Sequence, residues 1–88
     1  MRLDLFLSKV GLIKRRTIAK ELADNGLIKI NGQSGKAGKE INEGDIIAVG
    51  GKRAFVVEVK KVPGGSVRKE DRQDYFKTLE NLTGLEED

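Results

Sequence analysis

Arg15-Arg16-Thr17-Ile18-Ala19-Lys20-Glu21-Leu22-Ala23-Asp24-Asn25-Gly26-Leu27-Ile28-Lys29-Ile30-Asn31-Gly32 is the stretch on which the fold turns, because its hydrophobic period changes half-way along. Ile18, Ala19 and Leu22 recur at helical spacing and predict a helix from about Arg15 to Asn25. Asn25-Gly26 stops it, since glycine enters the left-handed region without a Cβ penalty. Leu27, Ile28 and Ile30 then read as a short strand that runs into Asn31-Gly32, a tight-turn dipeptide.

Upstream, Leu3, Leu5, Phe6, Leu7 and Val10 predict a first helix, from roughly Leu3 to Val10, ended by Gly11. Leu12 and Ile13 form a buried link. Downstream, Gln33 to Lys39 is small and polar and reads as a loop, with Ile41 an isolated apolar anchor. Gly44-Asp45 is a turn, and Ile46–Val49 and Ala54–Val59 flank Gly50-Gly51 as a hairpin. Pro63-Gly64-Gly65-Ser66 reads as a linker. Tyr75, Phe76, Leu79 and Leu82 recur at helical spacing and predict a third, C-terminal helix over Lys69–Leu82. That helix either packs back on the domain or docks a protein partner. The order helix, helix, strand, hairpin, helix is α+β, divided into a domain over 1–62 and a linker with a helical tail over 63–88.

With 88 residues the chain is expected to form one small domain. It has no cysteine and no histidine, which removes disulfides, thiolate metal sites and the commonest general base. Ser8 and Ser34 have no histidine to activate them, and neither Asp4 nor Asp45 has a catalytic partner in the sequence. The expectation is no catalytic site, no metal and no cofactor. No apolar run has the length of a membrane span, and the amphipathic start is unlike a secretory signal, so no membrane is expected and the cytoplasm is the expected location.

The net charge of +3 is unevenly spread. Residues 1–20 carry Arg2, Lys9, Lys14, Arg15, Arg16 and Lys20 against one acid, Asp4, whereas residues 61–88 carry five bases against seven acids. A concentrated basic face suits a phosphate-rich partner. Arg16 and Lys20, four residues apart, share a helix face beside the buried stripe. Lys14 and Arg15 lie at the helix start, and Arg15, near the core stripe, is open to a bracing role as well as a binding one. Gly35-Lys36-Ala37-Gly38 matches a phosphate-clamping G-x-x-G loop weakly, because it follows a strand instead of joining two helices, yet Lys36 remains a candidate phosphate contact. With 5% aromatics a base-stacking platform is not expected, so contacts should be to backbone and shape. Asp4 is read as a structural acid paired with a nearby base.

Taken in order, Arg2-Leu3-Asp4-x-Phe6-Leu7, Arg16-x-x-Ala19-Lys20-x-Leu22-x-x-x-Gly26, Ile28-x-Ile30-Asn31-Gly32 and Gly44-Asp45 resemble the RNA-binding domain named after small-subunit ribosomal protein S-four, the alpha-L motif. The resemblance covers roughly Met1 to Val59. It implies two helices packed on a small, mostly antiparallel sheet, and binding of structured RNA through the second helix and its surroundings. Many members attach this domain to a catalytic partner, for which this chain has no room. Among free-standing members, Leu12–Thr17 and the short tail are most similar to the group acting in bacterial ribosome-associated quality control. That likeness implies, as partners, the rRNA of the large ribosomal subunit, tRNA, and a stalled large subunit with its nascent chain, which is extended with alanine. The arginines matching Arg2 and Arg16 carry RNA contacts there. The alternative group is the small ribosome-binding heat-shock type. It usually has a longer basic tail, unlike the acidic Leu85-Glu86-Glu87-Asp88.

Overall fold

The computed structural model describes residues 1–52 and 54–81. Two helices, α1 (Leu3–Lys9) and α2 (Arg16–Asp24), precede strands β1 (Ile28–Ile30), β2 (Gln33–Ser34), β3 (Ile46–Val49), β4 (Phe55–Val59) and, after a 3₁₀ helix over Lys69–Tyr75, β5 (Phe76–Asn81). The strands form one sheet in the order β2-β1-β3-β4-β5, every neighbour antiparallel. The α+β architecture expected from the sequence is present. Asn31 (φ 53) and Gly32 (φ 85) both take positive φ between the paired Ile30 and Gln33, the requirement of a two-residue hairpin turn. Part of the stretch expected as a loop is therefore the short strand β2.

The core lies between the helices and one sheet face. Leu3, Phe6 and Leu7 of α1 pack with Ile28, Ile30, Ile47, Val49, Val57 and Val59 of the sheet. Ile41, the isolated anchor, is buried, and its N–H donates to the Met1 carbonyl (2.9 Å). On α2 the buried residues are Ala19 and Ala23, while Leu22 is half-buried and Ile18 is 43% exposed. The helix has thus turned away from its expected Ile18-centred stripe. Alanine at the contact removes side-chain bulk between the two helices.

The expected C-terminal helix over Lys69–Leu82 is not formed. Its first half is the 3₁₀ helix, and Phe76–Asn81 extends beside β4, with Lys77 opposite Glu58. Leu82 lies outside the described residues. β4 would otherwise present an open edge of unpaired backbone groups. The β-forming Phe76 and Thr78 satisfy that edge at little local cost. A register shift between Val56 and Val57 skips Leu79 in the pairing, leaving it 45% exposed. The protein-interaction reading of a C-terminal helix therefore loses its element.

Candidate nucleic-acid interface

The interface is built around one buried acid. Asp4 is in the first turn of α1 and 2% exposed. Its carboxylate accepts from Arg2 through Nε (3.1 Å) and Nη2 (3.3 Å), and from Arg16 Nε (3.1 Å). It also accepts from the Leu5 backbone N–H at 2.8 Å. The two arginine side chains, Arg2 at the N-cap of α1 and Arg16 in the first turn of α2, are about half exposed (50% and 47%). Two cations on one anion leave a net positive site with donors still free to face solvent. Burial raises the Asp4 pKa, but the hydrogen bonds from Arg16 and Arg2 and their charges outweigh it and hold the carboxyl below its ordinary value.

The loop after β2 completes the site. Arg2 supplies no side-chain cap to α1; instead the Leu3 and Asp4 N–H groups donate to the carbonyls of Lys39 (2.8 Å) and Ala37 (3.1 Å). The loop thus satisfies the free donors of the first helical turn. It also brings Gly38 against Arg2, where a Cβ would stand 3.7 Å from the guanidinium carbon. Lys36 and Lys39 are exposed and border an open groove of about 850 Å³ shared with Asn31, Gln33 and Asn42. Lys39 was passed over in the sequence. The signal was its place one residue beyond the Gly38 that accommodates Arg2.

The remaining candidates separate. Lys20 is one turn beyond Arg16, but it is not an unopposed cation, because it pairs with exposed Asp24 at 3.2 Å. Lys9 donates to the Gly65 carbonyl (3.1 Å) at the far end of α1. Lys14 lines a different, apolar groove. Arg15 is the N-cap of α2, where its carbonyl accepts from Ile18 and Ala19, and its side chain is exposed instead of bracing the core. Of the seven candidates, Arg2 and Arg16 meet, Lys36 is on the loop beside them, and the other four do not join that cluster.

A small α+β domain that holds two arginines outward on a buried acid has the class features of a compact RNA-backbone binder. Residues 1–47 match the S4 domain, and the chain belongs to the S4 domain family. The chain is 41% identical over 80 residues to the RQC P-site tRNA stabilizing factor of Bacillus subtilis, covering 90% of this chain and 92% of that protein. It is 43% identical to the protein of the same name from Halalkalibacterium halodurans, over 86% of each. Among solved structures, a hypothetical protein, HP1423, superposes with a TM-score of 0.75 at 34% identity, over 89% of this chain and 95% of that one. A trimeric Heat Shock Protein 15 of Vibrio cholerae gives a TM-score of 0.79 over 89% of this chain and 80% of that one; at 23% identity it speaks for the fold alone. Among the described residues, no helix is long and apolar enough to cross a membrane.

Proposed function

We propose that this chain is a non-enzymatic RNA-binding factor of ribosome-associated quality control. It binds large-subunit rRNA and peptidyl-tRNA on stalled subunits in the cytoplasm and supports alanine tailing of the nascent chain. The observation that carries the reading is the joining of Arg2 and Arg16 on buried Asp4, in a chain similar over most of its length to factors named for stabilising P-site tRNA. An arginine fork grips phosphate with paired, directional hydrogen bonds, and a carboxylate behind it fixes the direction before RNA arrives. Lys36 and Lys39 extend the contact along the backbone, and Lys20 joins when it leaves Asp24. Lys9, Lys14 and Arg15 add long-range attraction. Residues 1–62 carry the RNA contacts, and of residues 63–88 the strand Phe76–Asn81 completes the same sheet along β4.

Sedimentation of the tagged chain through a sucrose gradient, with sequencing of the bound RNA, tests this. Recovery with free large subunits, together with tRNA, is expected. Recovery with messenger or small-subunit RNA redirects the assignment, and RNA modification by the isolated chain refutes it.

A further inference from the structure

The open groove of about 850 Å³ beside Arg2 has walls of opposite charge. One wall is the loop that carries exposed Lys36 and Lys39, closed by a turn in which the Lys39 N–H donates to the Lys36 carbonyl (2.9 Å). Gly38, between the lysines, stands against the Arg2 guanidinium. The other wall joins Asn31, Asn42 and Asp45. Asn31 Nδ2 and the Asn42 backbone N–H donate to the Asp45 carboxylate at 3.1 and 2.8 Å, and Asn31 Oδ1 accepts from the Ile46 N–H at 2.9 Å. This second wall is therefore fixed before any ligand arrives.

Phosphate suits only the first wall. Asp45 repels an anion and accepts hydrogen bonds, so whatever lies against it must bring N–H or O–H donors. The exposed side chains of Gln33 and Asn42 also line the groove, and neither is hydrogen-bonded within the described residues. Each amide offers donors and an acceptor together, the set that reads a base edge. The RNA component that meets both requirements is a nucleotide whose base has left the stack. It carries a phosphate for the lysines, and a base edge and ribose hydroxyl for the amides and the acid. A base already paired in a helix has no Watson–Crick edge to offer.

We propose that this groove seats one unpaired nucleotide of the bound RNA, its phosphate against Lys36 and Lys39 and its base edge against Gln33, Asn42 and Asp45. The inference rests on the RNA-binding reading above, and it adds a base contact to a site otherwise aimed at backbone.

Large subunits carrying peptidyl-tRNA are the probe, with co-sedimentation followed over a range of salt. Gln33→Ala with Asn42→Ala should weaken binding about tenfold and leave the slope of log K against log salt unchanged, because neutral amides release no counterions. Lys36→Ala with Lys39→Ala should lower that slope. Circular dichroism checks that both variants fold. Dimethyl sulfate, carbodiimide and kethoxal probing should find one unpaired base protected by the wild type and re-exposed with the amide variant. Unchanged affinity or a lowered slope in the amide variant, or base protection that survives it, overturns the proposal and leaves the RNA-binding reading standing. Failure of the wild type to bind large subunits overturns that reading and the proposal with it.

Discussion

At the N-terminal end of α1, Arg2 is joined by Arg16 on a buried carboxylate, and both arginine side chains stay about half exposed. At the C-terminal end, nine or so ångströms further along the axis for a helix of this length, the cations contact the chain beyond Pro63 or the turn at Gly11. Lys9 donates to the Gly65 carbonyl, and Arg72 from the 3₁₀ helix lies across Gly11 so closely that a Cβ there would meet its Nη1 at 2.8 Å and its Cδ at 2.9 Å. The Arg72 Nε is buried and has no hydrogen-bond partner among the described residues. One basic stretch therefore serves two purposes. Arg2 and Arg16 are aimed by an acid, while Lys9 ties α1 to the chain beyond Pro63. Charge density alone does not tell the two apart; the partner each cation has already taken does.

The largest effect should come from breaking the aimed end. Replacing Arg2 and Arg16 with Ala removes two charge-assisted contacts, worth about 1.5–3 kcal/mol each, so affinity for large subunits should fall by about 10²–10⁴-fold. That variant also strands Asp4 as a buried, uncompensated charge, a strongly destabilising change. Adding Asp4→Asn relieves this, so loss of co-sedimentation by the triple variant, with circular dichroism confirming the fold, reports binding alone. Lys9→Ala should weaken binding by less than about threefold. Equal losses at the two ends would dissolve the distinction.

Asp4→Asn alone tests whether aiming matters. It keeps both arginines but exchanges their charged acceptor for a neutral amide, at a cost of about 1–3 kcal/mol in chemical denaturation. Because the Asp4 pKa is lowered on folding, its contribution is fully present above the unfolded-state value of 3.8 and is lost as pH falls through the lower, folded value. Wild type should therefore lose stability below about pH 4 more steeply than Asp4→Asn does. Parallel acid-unfolding curves would place the stabilisation elsewhere.

Gly11→Ala probes the other end. At φ +77 a side chain costs about 1–2 kcal/mol, and Arg72 must also move. A drop of that size in stability, with subunit affinity kept within about twofold, sharpens the contrast; a large loss of affinity would make the tethered end part of the binding surface.

Legibility in the sequence tracks the range of the forces involved. The switch from helical to alternating period at Gly26, the Asn31-Gly32 turn and the β3–β4 hairpin are local signals, and all three are in the fold. β5 was not legible. Tyr75, Phe76 and Leu79 fit a helical stripe, and what makes Phe76–Asn81 a strand is the open edge of β4, supplied from seventeen or more residues earlier. In the candidate site, Arg2 and Arg16 were found by charge and family resemblance, and Asp4 as an acid in need of a base. That one acid holds both arginines is a tertiary fact, as is the loop carbonyl capping that places Lys36 and Lys39 beside them.

Lys20 carries the smallest effect and divides the two classes of cation most finely. It shares a helix face with Arg16, but its partner Asp24 is as exposed as it is, at 60% and 59%. A surface pair at this spacing stabilises by about 0.3–0.5 kcal/mol, so Lys20→Ala should change stability by no more than that. The pair is cheap to open, and a phosphate competes with Asp24 on better terms than it could with buried Asp4. If Lys20 does switch partner, Lys20→Ala should reduce the slope of log K against log salt by about 0.7–0.9, the release of one counterion-neutralising contact. Asp24→Ala should strengthen binding slightly at low salt, since the lysine no longer has to leave an acid. An unchanged slope in Lys20→Ala would put Lys20 with Lys9, among the cations already committed within the protein.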